Sequence, residues 1–93
     1  MAFIEVKNKK GTGGKKPPQG YTSWLDFWEQ KKDKKATVCE ATSCTKVAKA
    51  GGHVFKVGLP AKEYILPLCD DHNHPSREEA FKALEEDLVQ VKD

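Results

Sequence analysis

Two short pairs of metal-ligating residues constrain this chain most. Four residues lie between Cys39 and Cys44, two between Cys69 and His72, and 24 between the two pairs, in a chain of 93. Both gaps fall within the spacings of structural zinc sites. Three thiolates and one imidazole in a closed tetrahedron suit zinc, which imposes no d-electron geometry. Ninety-three residues make one domain with a small core, and such a domain often needs a staple. Metal binding supplies one, because its free energy becomes folding free energy. His74, two residues beyond His72, is the alternative fourth ligand. His53 is a less usual donor, since it sits at the end of an expected strand.

Charged residues are 32% of the chain and hydrophobic ones 38%, with a mean hydropathy of −0.69. No apolar stretch is long enough to span a membrane. The apolar start, residues 1–6, is too short for a secretory leader. Three Cys without a leader point to a reducing compartment, the cytoplasm, and to metal ahead of disulfide. Charge is uneven. Residues 1–35 carry 9 Lys against 4 acids, and residues 36–93 carry 7 basic against 10 acidic residues. The Lys pairs Lys9-Lys10, Lys15-Lys16, Lys31-Lys32 and Lys34-Lys35 are candidate phosphate contacts.

Residues 1–6 alternate weakly, as a short strand does. Residues 7–20 are rich in Lys, Gly and Pro and read as an arm, so that residues 1–20 stand apart from one domain at 21–93. A helix is expected over 21–35, with Ser23 as N-cap and Asp26 at capping-box spacing. Its apolar stripe of Tyr21, Leu25 and Trp28, joined by Trp24, packs on the domain or faces a partner. Residues 53–57 and 64–68 read as a hairpin around a turn at 58–62. A second helix is expected over 76–91: Ser76 and Glu79 form a capping box, and Phe81, Leu84, Leu88 and Val91 follow helical spacing. The fold class expected is α+β.

The order of Cys pair, Gly52-His53-Val54, hairpin, Tyr64-Ile65-Leu66-Pro67-Leu68-Cys69 and His72-Asn73 resembles the zinc-containing treble-clef branch of the HNH endonuclease superfamily. The resemblance covers about residues 37–75. It implies a zinc-stabilised treble clef of knuckle, hairpin and C-terminal helix, to which the helix at 21–35 is added. Cys39, Cys44, Cys69 and His72 match the family's structural ligands, His53 its general base, and Asn73 the Asn that supports a catalytic Mg²⁺ or Mn²⁺. Gly52 stands where the family places Asp, Glu or His, and Asp70 and Asp71 lie between ligands. Three functions follow as expectations. The first is a non-catalytic zinc module that binds nucleic acid through its Lys-rich region. The second is a small divalent-metal nuclease, and the third a protein-interaction module using Trp24 and Trp28.

Overall fold

The computed structural model describes residues 2–9, 15–74 and 77–91. The elements are β1 (Phe3–Asn8), α1 (Trp24–Lys32), β2 (Ala50–Lys56), β3 (Leu59–Leu68), β4 (Phe81–Leu84), a 3-10 turn (Glu85–Asp87) and β5 (Val89–Gln90). The strands form one antiparallel sheet in the order β4-β1-β2-β3-β5. This is a small α+β domain.

The β2–β3 hairpin is its centre. The turn is shorter than expected: Gly58, with φ 88°, closes it at Val57-Gly58, and most of residues 58–62 belong to β3. Side chains alternate across the strands. Gly52, Val54, Leu66 and Leu68 therefore share one face, and Gly51, His53, Ile65 and Pro67 the other. Each face has its own core. One holds Val6, Val54, Leu66, Leu68 and Ala83 together with Cys39, Ala41 and Cys69. The other holds Ile65 against Phe27 and Trp28 of α1.

The first helix forms as expected but is shorter, because Ser23 caps it and Asp33 ends it in the left-handed region. The Ser23 hydroxyl accepts from the Asp26 N–H at 2.9 Å, one of the donors that the first turn leaves unpaired. Trp24, Phe27 and Trp28 form the inward stripe. Trp28 is fully buried, and its indole N–H donates to the Asp87 carbonyl at 2.7 Å.

Two segments differ from expectation. β1 extends to Asn8, inside the segment read as an arm, and lies between β2 and β4. The helix expected over 76–91 is absent among the described residues; its N-cap, Ser76, lies outside them. Phe81–Leu84 is instead a strand paired with Phe3–Val6, and Val89–Gln90 pairs with Tyr64–Ile65. The physical reason is the open edges of β1 and β3, whose unpaired N–H and C=O groups need partners. Ala83, fully buried, now faces inward, and a helical reading of the apolar spacing could not register it. Without that helix, the sequence's treble-clef outline lacks one of its three parts among the described residues.

The tail also shapes the sheet. Leu84 and Val89 are five residues apart yet lie on opposite edges of five strands. Five extended residues reach about 17 Å, whereas four strand spacings of a flat sheet need about 19 Å. The sheet is therefore curled, with Leu88 packed on the first core.

Gly51 and Gly52 let both layers approach β2. A Cβ on Gly51 would lie 2.6–2.8 Å from the backbone of Trp24 and Leu25. A Cβ on Gly52 would lie 2.5 Å from Leu68 Cδ1 and 2.7 Å from Asn73 Oδ1. Backbone cannot yield as a flexible side chain can. Gly51→Ala is therefore expected to cost about 1–3 kcal/mol in urea unfolding, while exposed Lys62→Ala stays within about 0.5 kcal/mol. Equal midpoints for the two would refute the close approach.

Candidate metal centre

The first pair sits on a narrow ladder. Val38 bridges Val47, the Cys39 N–H donates to the Lys46 carbonyl at 2.8 Å, and the Ala48 N–H donates to that of Thr37 at 3.1 Å. Ser43, in the left-handed region at φ 69°, helps reverse the chain. The Cys44 N–H donates to the Ala41 carbonyl at 3.0 Å. The Glu40 and Lys49 N–H groups donate to the carbonyls of Pro67 and Leu68 at 2.9 Å, tying the ladder to β3. The second pair follows directly: Cys69 ends β3, and a single turn, Asn73 N–H to Cys69 carbonyl at 2.9 Å, folds His72 back. Asn8 of β1 holds that turn by donating to the His72 carbonyl at 2.6 Å.

Cys39, Cys44, Cys69 and His72 are thereby brought together, each offering a ligand atom within 4.8 Å of the others. Cys44 and Cys69 sulfurs are 3.8 Å apart, and no disulfide joins any of the three Cys. His72 Nδ1 lies 3.3 Å from Cys69 Sγ and 3.6 Å from Cys39 Sγ. Burial pushes the Cys39 thiol up to about 12. Burial also pushes on Cys69, but the His72 N–H and the neighbouring thiols outweigh it and hold Cys69 below its ordinary value. Burial and then Arg77 lower His72, which favours the neutral imidazole a ligand must be. The four donors could hold a metal ion. His74 is exposed and outside the group. Asp71 faces away into an ion pair with Lys46, and that pair ties the two ligand segments together.

His53 and Asn73 lie on opposite faces of β2. His53 is under α1, edge-on to Trp24 with ring centroids 4.6 Å apart. It is 7% exposed. Its Nδ1 meets Glu63, which Lys15 also engages at 2.8 Å. Its Nε2 is buried without a hydrogen-bond partner. Asn73 Oδ1 lies over Gly52 on the metal face. The Cys₃His set is the one group of three or more such donors among the described residues, so no carboxylate cluster lies beside His53 for a Mg²⁺ or Mn²⁺.

Several of the Lys are engaged internally. Besides Lys15, Lys32 bonds to the Glu86 carbonyl. Lys34 lies 3.9 Å from Asp87 and over the Trp28 ring, and Lys31 lies over Phe27. The Lys9 N–H donates to the His53 carbonyl. Lys16 and Lys35 are exposed, and Lys10 lies outside the described residues. Trp28 is core and Trp24 is half-buried.

Sequence reasoning missed Glu63, Asn8 and Asp87. Glu63 was within reach: it lies two residues before Ile65, the partner of His53, and so points to the same face. Asp87 is long-range. It sits beside Glu40, whose carboxyl is raised to about 7 by burial and then by that neighbour.

Among the described residues, no helix is long and apolar enough to cross a membrane. No family model, curated protein or solved structure matches the chain.

Burial lowers the His53 pKa, with Glu63 opposing. Burial also acts to raise Glu63, but its bonds to Lys15 and His53 prevail and lower it. Both shifts have the same sign: the unfolded chain binds more protons, so stability rises with pH. The His53 contribution is complete above its ordinary 6.5 and is lost as pH falls through the lower folded value. The melting temperature is expected to fall between about pH 7.5 and pH 5.5, and to fall less in His53→Gln. Parallel falls would show that His53 protonation is not linked to folding.

Proposed function

We propose that this chain is a zinc-built, HNH-like module that binds nucleic acid and does not cleave it. The observation that carries the zinc reading is the spacing of the four ligand atoms. A tetrahedral zinc with bonds of about 2.3 Å to sulfur and 2.05 Å to nitrogen places sulfurs about 3.8 Å apart and sulfur about 3.5 Å from nitrogen. The Cys44–Cys69 separation is 3.8 Å. The separations of His72 Nδ1 from Cys69 and Cys39 are 3.3 and 3.6 Å. When bound, zinc supplies a cross-link, with all four positions taken by protein. Cys39 and Cys44 hold it from the ladder, and Cys69 and His72 from the end of β3. In this reading the ladder, the hairpin and the turn at Cys69–Asn73 form a treble clef cut down to one turn where the helix would begin.

The non-catalytic reading rests on the separation of His53 from Asn73. A general base and the residues that support its metal must share one cavity, and β2 lies between these two. The space beside Gly52, where a metal-binding acid would project, is filled by Leu68 and Asn73. Nucleic acid as partner is supported by the basic excess of residues 1–35 and by exposed Lys16, Lys31 and Lys35.

The purified protein is expected to carry one zinc per chain. Excess chelator should abolish its near-ultraviolet Trp signal, and Cys69→Ser should lower the melting temperature far more than Lys35→Gln. An unchanged signal after the metal is stripped would overturn the zinc reading. Oligonucleotide retention should weaken by an order of magnitude or more between about 50 and 200 mM salt. Retention indifferent to salt would argue for a protein partner, and plasmid cleavage lost in His53→Ala for the nuclease.

A further inference from the structure

The α1-facing side of the sheet is only partly covered. The helix packs on β2, β3 and β5, so the same side of β1, of β4 and of the hairpin end of β2 is not under it. Strand register shows what this area displays. Lys7 is opposite Phe55, Phe3 opposite Leu84, and Glu5 opposite Lys82. Phe55 shares the face of His53, two residues away, so all six side chains lie on this side. The opposite side carries Val6, Val54 and Ala83 and is filled by the first core.

Of the apolar members of this area Phe3 is exposed, and Phe55 and Leu84 are half-buried. Phe3, Phe55 and Leu84 belong to neither core. Among the described residues, neither Phe3 nor Phe55 has a ring partner. Phe3 is 57% exposed, although a strand paired on both sides could have placed almost any residue there. The two rings are about 14 Å apart along β1, too far to stack on one another and suitably placed to receive separate bases. Lys7 and Lys82 flank the path between them. β1 runs on into Lys9, and the chain returns at Lys15 on this same side, beside Glu63. Every base has a π-face, so exposed rings on an open antiparallel sheet bind unstacked bases with little regard to sequence. A duplex keeps its bases stacked and offers the rings nothing.

We infer that the open sheet face bearing Phe3 and Phe55 is a stacking platform for single-stranded nucleic acid, with Lys7 and Lys82 at the strand's phosphates. This deepens the proposed nucleic-acid binding and rests on it.

The test is fluorescence anisotropy of the full, zinc-loaded chain with a labelled oligothymidine of about a dozen nucleotides and with a duplex of equal length. The single strand should bind more tightly than the duplex. Phe3→Leu keeps an exposed apolar residue and removes the π-face. It should weaken single-strand binding about fivefold or more with zinc content unchanged, and Phe55→Leu should do the same. Lys7→Gln with Lys82→Gln should reduce the salt slope by about 1.4, or 0.7 per phosphate contact. Wild-type affinity in both Phe variants, or preference for the duplex, would overturn the platform. If binding persists and responds only to Lys31→Gln with Lys35→Gln, nucleic-acid binding stands and the platform does not. If neither oligonucleotide binds, both readings fall together.

Discussion

The structure depends on how closely two layers approach one strand. Gly51 and Gly52 are neighbours on β2 and face opposite ways, so each leaves room on its own side of the sheet. The first turn of α1 rests on Gly51, and Leu68 and Asn73 fill the space over Gly52. A side chain at Gly51 would displace the backbone of α1, and one at Gly52 would push aside the side chains of Leu68 and Asn73. With both glycines in place, a chain of this size covers the two faces of its central hairpin with two small cores. Neither core would be large enough alone.

The same arrangement governs the chemistry. The four ligand atoms gather at one end of the hairpin because Cys69 ends β3 and the ladder carrying Cys39 and Cys44 is hydrogen-bonded to Pro67 and Leu68. Asn73 follows the last ligand and stays on that face. His53 is directed to the other face, into a buried contact with Glu63 and Trp24. His53 and Asn73 are thus divided by the pleat of a single strand. A cross-linking metal needs only the first set of residues.

The charges follow a related logic. Lys15, Lys32 and Lys34 reach acidic or carbonyl groups of β3 and of the tail. Exposed pairs of this kind contribute only up to about 1 kcal/mol each, so they orient segments more than they hold the fold. The basic excess of the first third of the chain is therefore partly spent inside the domain. Lys7 and Lys82 lie on the part of the sheet face that α1 does not cover, where Phe3 and Phe55 belong to neither core.

The four clustered Cys and His residues, the hairpin and the capped helix were legible in the sequence, because each is written in local spacing. Cys and His gaps, period-two alternation and a Ser at the start of an apolar stripe are all set within a few residues. The strand at Phe81–Leu84, the placing of β1 inside the sheet and the Glu63 contact of His53 were decided only by tertiary structure. Phe81, Leu84, Leu88 and Val91 suit a helix when read alone. The open edges of β1 and β3 are satisfied only if that segment pairs with them, and no local pattern records an unpaired edge formed some 75 residues earlier by Phe3–Val6. Which face His53 occupies was likewise unsettled until α1 had chosen its side. Local spacing shows which atoms can bind a metal; packing turns His53 away from them, because adjacent residues of a strand point apart.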